Sequence, residues 1–238
     1  MTLIVRNLQL VRDRITTACV SAGRQPDSVR LMAVCKKFGA DAVLQAVSDG
    51  QRVFGENYIA EGVEKITALK AMLPTATALE WHCIGPVQSN KTRLVAEHFD
   101  WVQSVDRLKI AERLAEQRPA DLPPLQICIQ VNIDGGATKS GVAPEDAQAL
   151  AQAISNLPRL QLRGLMAIPE PATEFVAACA VHMRTRALFD RLNSAGVLPV
   201  AMDTLSIGMT ADLEAAIQAG STMVRVGTAI FGERTGRD

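Results

Sequence analysis

The segment Val29-Arg30-Leu31-Met32-Ala33-Val34-Cys35-Lys36 is a short apolar run that ends in a lysine and precedes a helix-like segment. Such a run between turn signals is typical of a strand buried on both faces, as in a parallel sheet. Its lysine would lie at the edge where α/β folds carry their functional groups. Burial there favours the neutral amine, which can attack an aldehyde to give a Schiff base. The alternative is a lysine whose stem packs on the strand while its ammonium group reaches solvent.

Strand-like and helix-like runs alternate along the rest of the chain. The strand-like runs are residues 29–36, 53–57, 79–85, 101–106, 125–132, 160–168, 204–209 and 223–231. The helix-like runs between them are residues 40–49, 58–72, 89–98, 107–118, 144–156, 173–194 and 211–219. Strands separated by helices pair in parallel through right-handed crossovers. The pattern predicts an α/β fold, a single (β/α)8 TIM barrel, with a doubly wound open sheet as the alternative because periodicity does not show closure.

The N-terminus adds one element to this repeat. Residues 3–22 place apolar side chains at helical spacing between arginines and aspartates, which predicts an amphipathic helix. No linker or low-complexity tract interrupts the chain. We therefore predict one domain over residues 1–238, in which residues 1–25 form a helical extension of the barrel.

Composition excludes several classes of function. The 25 basic and 25 acidic residues cancel and form no basic cluster, which argues against nucleic-acid binding. No apolar run approaches the roughly 18 residues of a membrane span, and the N-terminus lacks a signal peptide. The five cysteines are widely spaced and lack a C-x-x-C motif, so free thiols fit better than a zinc site or disulfides. We expect a cytoplasmic protein with no membrane contact.

Two glycine-containing segments follow the last two predicted strands. Residues 206–212 leave strand seven, with Thr210 as a possible helix N-cap, and residues 224–232 end strand eight with Gly227 beside Thr228. Loops at these positions of TIM barrels commonly bind phosphate through backbone N–H groups. The simpler explanation is that Gly208 and Gly227 only form turns.

A lysine on strand one and a phosphate site on strands seven and eight become neighbours once the barrel closes. A ligand with an aldehyde at one end and a phosphate at the other would fit between them. Pyridoxal 5'-phosphate (PLP) is such a ligand, and a phosphorylated sugar in a Schiff-base aldolase fits nearly as well.

Longer motifs match those of a known family. They are residues 33–36 (AVCK), 54–58 (FGENY), 81–91 (WHCIGPVQSNK), 130–132 (QVN), 139–141 (KSG), 163–169 (RGLMAIP), 205–212 (LSIGMTAD) and 226–232 (VGTAIFG). With these motifs the chain resembles the pyridoxal phosphate homeostasis protein family over essentially its whole length. These proteins are single-domain relatives of the N-terminal barrel of alanine racemase.

The resemblance implies a cofactor site and a role. It implies that Lys36 holds PLP as a Schiff base, and that the other PLP-binding residues are Asn57 and Met166 at the ring, Ser206, Gly227 and Thr228 at the phosphate, and Arg225 at the pyridine nitrogen. The implied role is binding PLP and delivering it to PLP-dependent apo-enzymes, within vitamin B6 and amino-acid homeostasis, without established turnover. We expect a monomer.

The sequence departs from the family pattern beside the lysine. Cys35 stands where serine is more common, and Lys37-Phe38 replaces a threonine or similar residue. Strand alternation would send Lys36 and Lys37 to opposite faces, so only one can point inward. The resemblance selects Lys36.

Residue types favour a carrier over a catalyst. Arg225 only donates hydrogen bonds, so it would keep the ring nitrogen unprotonated and weaken the cofactor as an electron sink. Racemisation also needs a second base, and we interpret Tyr58 and all three histidines as structural. A PLP carrier is therefore our first hypothesis, a weak amino-acid racemase the second and a Schiff-base aldolase the third.

Overall fold

The computed structural model describes residues 2–136 and 139–232, and these residues form a closed barrel of eight parallel strands. The strands are β1 (Arg30–Val34), β2 (Val53–Glu56), β3 (Glu80–Cys83), β4 (Trp101–Val105), β5 (Leu125–Gln130), β6 (Leu160–Met166), β7 (Thr204–Ser206) and β8 (Met223–Val226). Each strand pairs with the next, and β8 returns to β1, where Val226 lies opposite Ala33. The predicted TIM barrel is confirmed.

Helices surround this barrel. They are α1 (Leu3–Ser21), α2 (Ala40–Ser48), α3 (Ile59–Met72), α4 (Thr92–His98), α5 (Leu108–Gln117), α6 (Ala147–Ser155), α7 (Phe175–Ser194), α8 (Leu213–Gln218) and α9 (Thr228–Phe231). Strands of such a barrel are buried on both faces, and all five residues of β4 are buried. This burial explains why a strand such as β1 appears in the sequence as an apolar run, whereas β4 also buries the polar residues Gln103 and Ser104.

Helix α1 is the predicted N-terminal addition. The hydroxyl of Thr2 caps it by accepting a hydrogen bond from the Val5 N–H. Its buried face packs against α2, α8 and α9. The Asn7 side chain donates a hydrogen bond to the Ile230 carbonyl oxygen at 3.0 Å. Helix α1 therefore supports the short helix that follows β8.

All eight strands end before the residue that the sequence predicts, and two of these ends bear on the site. Residues 223–231 were predicted to be one strand, but β8 stops at Val226 and residues 228–231 form α9, where Ile230 and Phe231 are buried. The apolar side chains of that segment fill the core from a helix, and an apolar run alone does not distinguish the two structures. Strand β1 likewise stops at Val34, so that Lys36 lies in the following turn.

The predicted N-cap after β7 is also wrong. Helix α8 begins at Leu213, and its N-cap position belongs to Asp212, not to Thr210. The Asp212 carboxylate accepts a hydrogen bond from the Met209 N–H at 2.6 Å, which holds residues 209–212 as a turn. Gly208, with φ of 93°, starts this turn in a backbone conformation that favours glycine.

The remaining predictions concern the cysteines, membrane-spanning helices and the extent of the domain. All five cysteines are free, and four of them are buried. Among the described residues, no helix has both the length and the hydropathy of a membrane span. The single domain over residues 1–238 stays a prediction, since part of that range lies outside the described residues.

Candidate functional site

A cavity of about 700 Å3 opens at the C-terminal ends of the strands. It is lined by Val34, Lys36, Phe38, Asn57, Ile84, Ile168, Met209, Thr210, Ala211, Arg225, Gly227, Thr228 and Gly232. Five of the seven predicted site residues are in this lining. The other two, Met166 and Ser206, are fully buried near it.

Lys36 and Lys37 are separated by the turn that follows β1. Lys36 is half-buried and lines the cavity, whereas Lys37 is exposed and has a positive φ of 64°. The Lys37 ammonium lies 5.7 Å from the centroid of the Tyr58 ring, and its backbone N–H donates to Glu61 Oε1 at 2.5 Å. The two lysines do point apart, but a turn and not strand alternation separates them.

A buried charged network lies directly behind this turn. The Lys65 ammonium donates to the Cys35 carbonyl oxygen at 2.9 Å and forms a salt bridge with Glu56 and a longer one of 3.3 Å with Glu61. The Cys35 thiol donates to Glu56 Oε1 at 3.1 Å. Because Glu61 also binds the Lys37 N–H, the network anchors the backbone on both sides of Lys36.

Burial governs the titration of this network. Burial raises the pKa of Glu56, although the Lys65 ammonium opposes it, and burial also raises the pKa of the Cys35 thiol well above its usual range. Burial lowers the pKa of Lys65, but its anionic neighbours outweigh that influence and leave the pKa raised. Lys65 therefore remains an ammonium ion at neutral pH, and Cys35 remains a thiol.

Arg225 contributes a buried cation to the cavity wall from the neighbouring strand β8. Its guanidinium donates to the Ser206 carbonyl oxygen at 2.6 Å, to Ser206 Oγ at 2.8 Å and to the Ala167 carbonyl oxygen at 2.9 Å. Burial lowers the pKa of Arg225 to about 10, so it stays charged at neutral pH. A guanidinium has five N–H donors, and these three bonds leave donors for a ligand in the cavity.

Backbone N–H groups at the start of α9 are also free. Those of Gly227, Thr228 and Ala229 have no acceptor among the described residues. A Cβ atom on Gly227 would come within 3.1 Å of the Val34 carbonyl oxygen, so the β8 end lies close against β1. Free N–H groups in a glycine-containing turn form a suitable site for an anionic oxygen.

The remaining predicted residues occupy different depths. Asn57 lines the cavity, and its Oδ1 atom is buried without a hydrogen-bond donor among the described residues, which leaves it available to a ligand. Met166 packs with Trp101 and Cys128 inside the barrel. Ser206 contacts Arg225 and does not line the cavity. These two side chains therefore underlie the site.

Sequence reasoning missed part of the lining. Met209, Thr210 and Ala211 lie in the segment singled out for phosphate, but none of them was assigned to the site. Phe38 stacks on Phe231 with ring centroids 5.1 Å apart and forms an apolar wall. The signal that could have found Met209, Thr210 and Ala211 is the turn between β7 and α8, since the loops that follow barrel strands form the mouth of a barrel.

The histidines lie outside the cavity lining. His82 is buried within the barrel, and His182 on α7 binds Asp212 at 2.9 Å. His98 ends α4. Among the described residues, no group of three or more histidine, cysteine or acidic side chains could hold a metal ion.

Comparison with known proteins identifies the family. The family model for the alanine racemase N-terminal domain matches residues 7–235. A pyridoxal phosphate homeostasis protein of Pseudomonas aeruginosa is 56% identical over 98% of this chain and 97% of its own. A protein of the same name from Escherichia coli is 52% identical over 97% of both chains.

Solved structures agree with this result. PipY of Synechococcus elongatus, solved with PLP bound, has a TM-score of 0.82 and 35% identity, and the match covers 96% of this chain and all of PipY. An alanine racemase of Clostridium difficile has a TM-score of 0.72 at 16% identity, so it shares the fold. The match spans 98% of this chain but 58% of that racemase. This chain belongs to the alanine racemase N-terminal domain family and, within it, to the pyridoxal phosphate homeostasis proteins.

Proposed function

We propose that this protein binds PLP through a Schiff base on Lys36 and acts as a PLP carrier in vitamin B6 homeostasis. One observation carries the proposal: a single cavity brings together a lysine, a buried guanidinium with spare donors and a run of free backbone N–H groups. The family relationship supports the same ligand, because PipY was solved with PLP bound.

Each part of the cavity suits one part of this cofactor. The Lys36 amine reaches the cavity from β1 and would attach the aldehyde. The N–H groups of Gly227 and Thr228 would hold the phosphate on the adjacent β8. Arg225 would donate to the ring nitrogen, and Asn57 and Met166 would lie at or beneath the ring.

The chemistry of Arg225 favours carriage over catalysis. PLP acts as an electron sink when its ring nitrogen is protonated. A guanidinium can donate to that nitrogen but has no proton to give up at neutral pH, so it keeps the nitrogen unprotonated. Of the described residues that line the cavity, only Lys36 carries an amine that can serve as a base. Tyr58 is 49% exposed and lies outside the lining.

Absorbance spectroscopy with two matched variants tests the binding site. Purified protein mixed with PLP should gain a visible absorption band and retain it after gel filtration. Lys36→Ala should lose that retained band, whereas Lys37→Ala, one residue away and outside the cavity, should keep it. Loss of the band in Lys37→Ala with its retention in Lys36→Ala would contradict the assignment.

A weak amino-acid racemase remains the second candidate, because the shared fold and Lys36 both fit it. Chiral analysis of alanine incubated with the PLP-loaded protein separates the two. A carrier gives no more racemisation than the Lys36→Ala variant. Sustained turnover above that control would establish the enzyme and reject a purely carrying role.

Delivery of the cofactor is the remaining part of the proposal. A carrier should restore activity to a PLP-dependent apo-enzyme when its loaded form is mixed with that enzyme. We propose that it does so as a monomer in the cytoplasm. Size-exclusion chromatography with light scattering checks the monomer, and failure to reactivate apo-enzyme beyond the rate of spontaneous PLP release would contradict direct delivery.

A further inference from the structure

A chain of hydrogen bonds crosses the inside of the barrel from the cavity to the opposite face. It starts at Arg225, whose guanidinium donates to Ser206 Oγ at 2.8 Å, and the Ser206 hydroxyl donates to Gln103 Oε1 at 2.7 Å. The Gln103 amide binds His82 Nδ1 at 3.0 Å, and His82 Nε2 binds Glu80 Oε1 at 2.6 Å. The chain thus joins β8 and β7 to β4 and β3 across the barrel.

All members except Glu80 are buried. The Gln103 amide nitrogen also lies 3.1 Å from Met223 Sδ, and His82 stacks on Trp101 with ring centroids 5.0 Å apart. A buried polar side chain is costly to leave without partners, so each member depends on its two neighbours. Glu80 ends the chain at the N-terminal face, where it pairs with Arg30 at 2.9 Å.

The donors of this chain all point in one direction. Burial lowers the pKa of His82, although Glu80 opposes it, so its ring is neutral at neutral pH. A neutral ring that accepts at Nδ1 carries its proton on Nε2 and donates it to Glu80. Burial would raise the pKa of Glu80, but His82 and Arg30 outweigh burial and leave it lowered, so its carboxylate is ionised. The chain therefore runs from a cation in the cavity wall to an anion at the other face.

We propose that Gln103 and His82 are positioning residues that aim the Arg225 guanidinium at the cofactor ring nitrogen through Ser206. This inference rests on the proposed PLP site. The carbonyl oxygens of Ser206 and Ala167 already accept from the guanidinium. Ser206 Oγ adds a third acceptor, but a hydroxyl rotates freely to suit its partners, so this contact is fixed only if the hydroxyl is. Gln103 Oε1 removes that freedom by accepting a hydrogen bond from the Ser206 hydroxyl. A lone pair of Ser206 Oγ is then turned towards the guanidinium. Gln103 is itself fixed by His82 and Glu80.

The proposal explains why polar groups fill the middle of the barrel. The layers inside a TIM barrel are ordinarily built from bulky branched apolar residues. Here a glutamine and a histidine occupy that space, and neither lines the cavity. A purely structural role would not require their acceptor atoms to face the Arg225 side of the chain, because Met and Leu would fill the same volume.

A cycle of two proteins and two ligands tests the proposal. The ligands are PLP and its deaza analogue, in which C–H replaces the ring nitrogen, and the proteins are wild type and Gln103→Met. A hydrogen bond to a charged donor contributes about 1.5–3 kcal/mol, so the analogue should bind wild type about 10- to 100-fold more weakly than PLP. In Gln103→Met that ratio should fall at least about threefold, because the Ser206 hydroxyl no longer helps the two carbonyl oxygens to aim Arg225. Differences in intrinsic affinity between the two ligands cancel when the ratio in Gln103→Met is compared with the ratio in wild type.

The controls separate the possible failures. Thr185→Val removes a buried hydroxyl from α7 that has no hydrogen-bond partner in the described residues, and it should leave the wild-type ratio unchanged. Absence of PLP binding to wild type would reject the proposed function itself. Normal PLP binding with the same ratio in wild type and Gln103→Met would overturn only the positioning role. If Gln103→Met does not fold, Ser206→Ala opens the chain one link nearer to Arg225 and is judged by the same two results.

Discussion

The two walls of the cavity are supported by buried polar networks of opposite character. Behind Lys36 the network is charged, with Lys65 between Glu56 and Glu61, and it binds the backbone of the turn. Behind Arg225 the links are the neutral side chains of Ser206, which binds the guanidinium itself, and of Gln103, which binds the Ser206 hydroxyl. The lysine side chain is therefore left free to attach and release a ligand, whereas the arginine side chain is held in one orientation.

The largest expected effect comes from breaking the charged network. Lys65→Met leaves the Glu56 carboxylate buried without its cation, and removing one partner of a buried pair costs about 3–5 kcal/mol of unfolding free energy. Replacing both partners, as in Glu56→Leu with Lys65→Met, should recover most of that loss. Denaturant unfolding of the single and double variants measures the difference. If Lys65→Met is as stable as wild type, the charged network does not stabilise the fold.

The neutral chain should be less costly to break. Gln103→Met leaves buried hydrogen-bonding groups on Ser206 and His82 without one partner each, for which about 1–3 kcal/mol is expected. The same denaturant experiment compares it with Lys65→Met. If Gln103→Met is the more destabilising of the two, the distinction between a charged support and a neutral support is wrong.

The phosphate should lie on the arginine side of the cavity. Thr228→Asp places a carboxylate beside the free N–H groups of α9, and like charges at close range oppose binding. We expect PLP affinity to fall about 10- to 100-fold, or about 1.4–2.8 kcal/mol, and less at high salt. Titration of PLP into Thr228→Asp, with the neutral Thr228→Asn as the matched control, measures it. Equal affinity in Thr228→Asp and Thr228→Asn would place the phosphate elsewhere.

The smallest expected effect concerns the turn between β7 and α8. Burial raises the pKa of Asp212, but hydrogen bonds from His182 and the Met209 N–H outweigh it and leave the pKa below its ordinary value of 3.8. A lowered carboxyl pKa stabilises the fold above that ordinary value, and this stabilisation is lost as pH falls through the folded-state pKa. Asp212→Asn removes the charge that strengthens the bonds to His182 and the Met209 N–H, so it should cost about 1 kcal/mol at neutral pH and less in acid.

Thermal unfolding of Asp212→Asn and wild type between neutral pH and about pH 3 checks this dependence. The gap between the two proteins should narrow as pH falls. A gap that stays constant or widens towards acid would show that the carboxylate charge does not hold the turn.

Local sequence patterns were sufficient to predict the alternation of strands and helices, although they left an open sheet as the alternative to the closed barrel. Strand β1 is buried over its last three residues, so the apolar run at 29–36 is visible without any knowledge of its neighbours. Closure of the barrel then brings the lysine at the end of the first run next to Gly227 and Thr228 at the end of the last run. The short helix α9 could not be predicted, since Ile230 and Phe231 suit a buried strand equally well.

The two polar networks behind Arg225 and Lys36 depend on contacts between residues that are distant in sequence. Gln103 and Ser206 are 103 residues apart, and nothing near either residue indicates the other. Lys65 falls on the buried face of a helix, where a sequence reading expects an apolar residue, and only the fold brings it to Glu56 and Cys35. The cavity lining at Met209 and Ala211 depends on where the turn after β7 lies, which the chemistry of these two residues does not reveal.

Chemical trapping tests the central claim, that Lys36 carries the cofactor, most directly. Protein incubated with PLP is reduced with borohydride, digested and sequenced by tandem mass spectrometry. The account predicts a stable pyridoxyl phosphate adduct on Lys36 at near-stoichiometric yield, with Lys37 unmodified. An adduct on Lys37 or another lysine in place of Lys36, or no adduct at all, would contradict it.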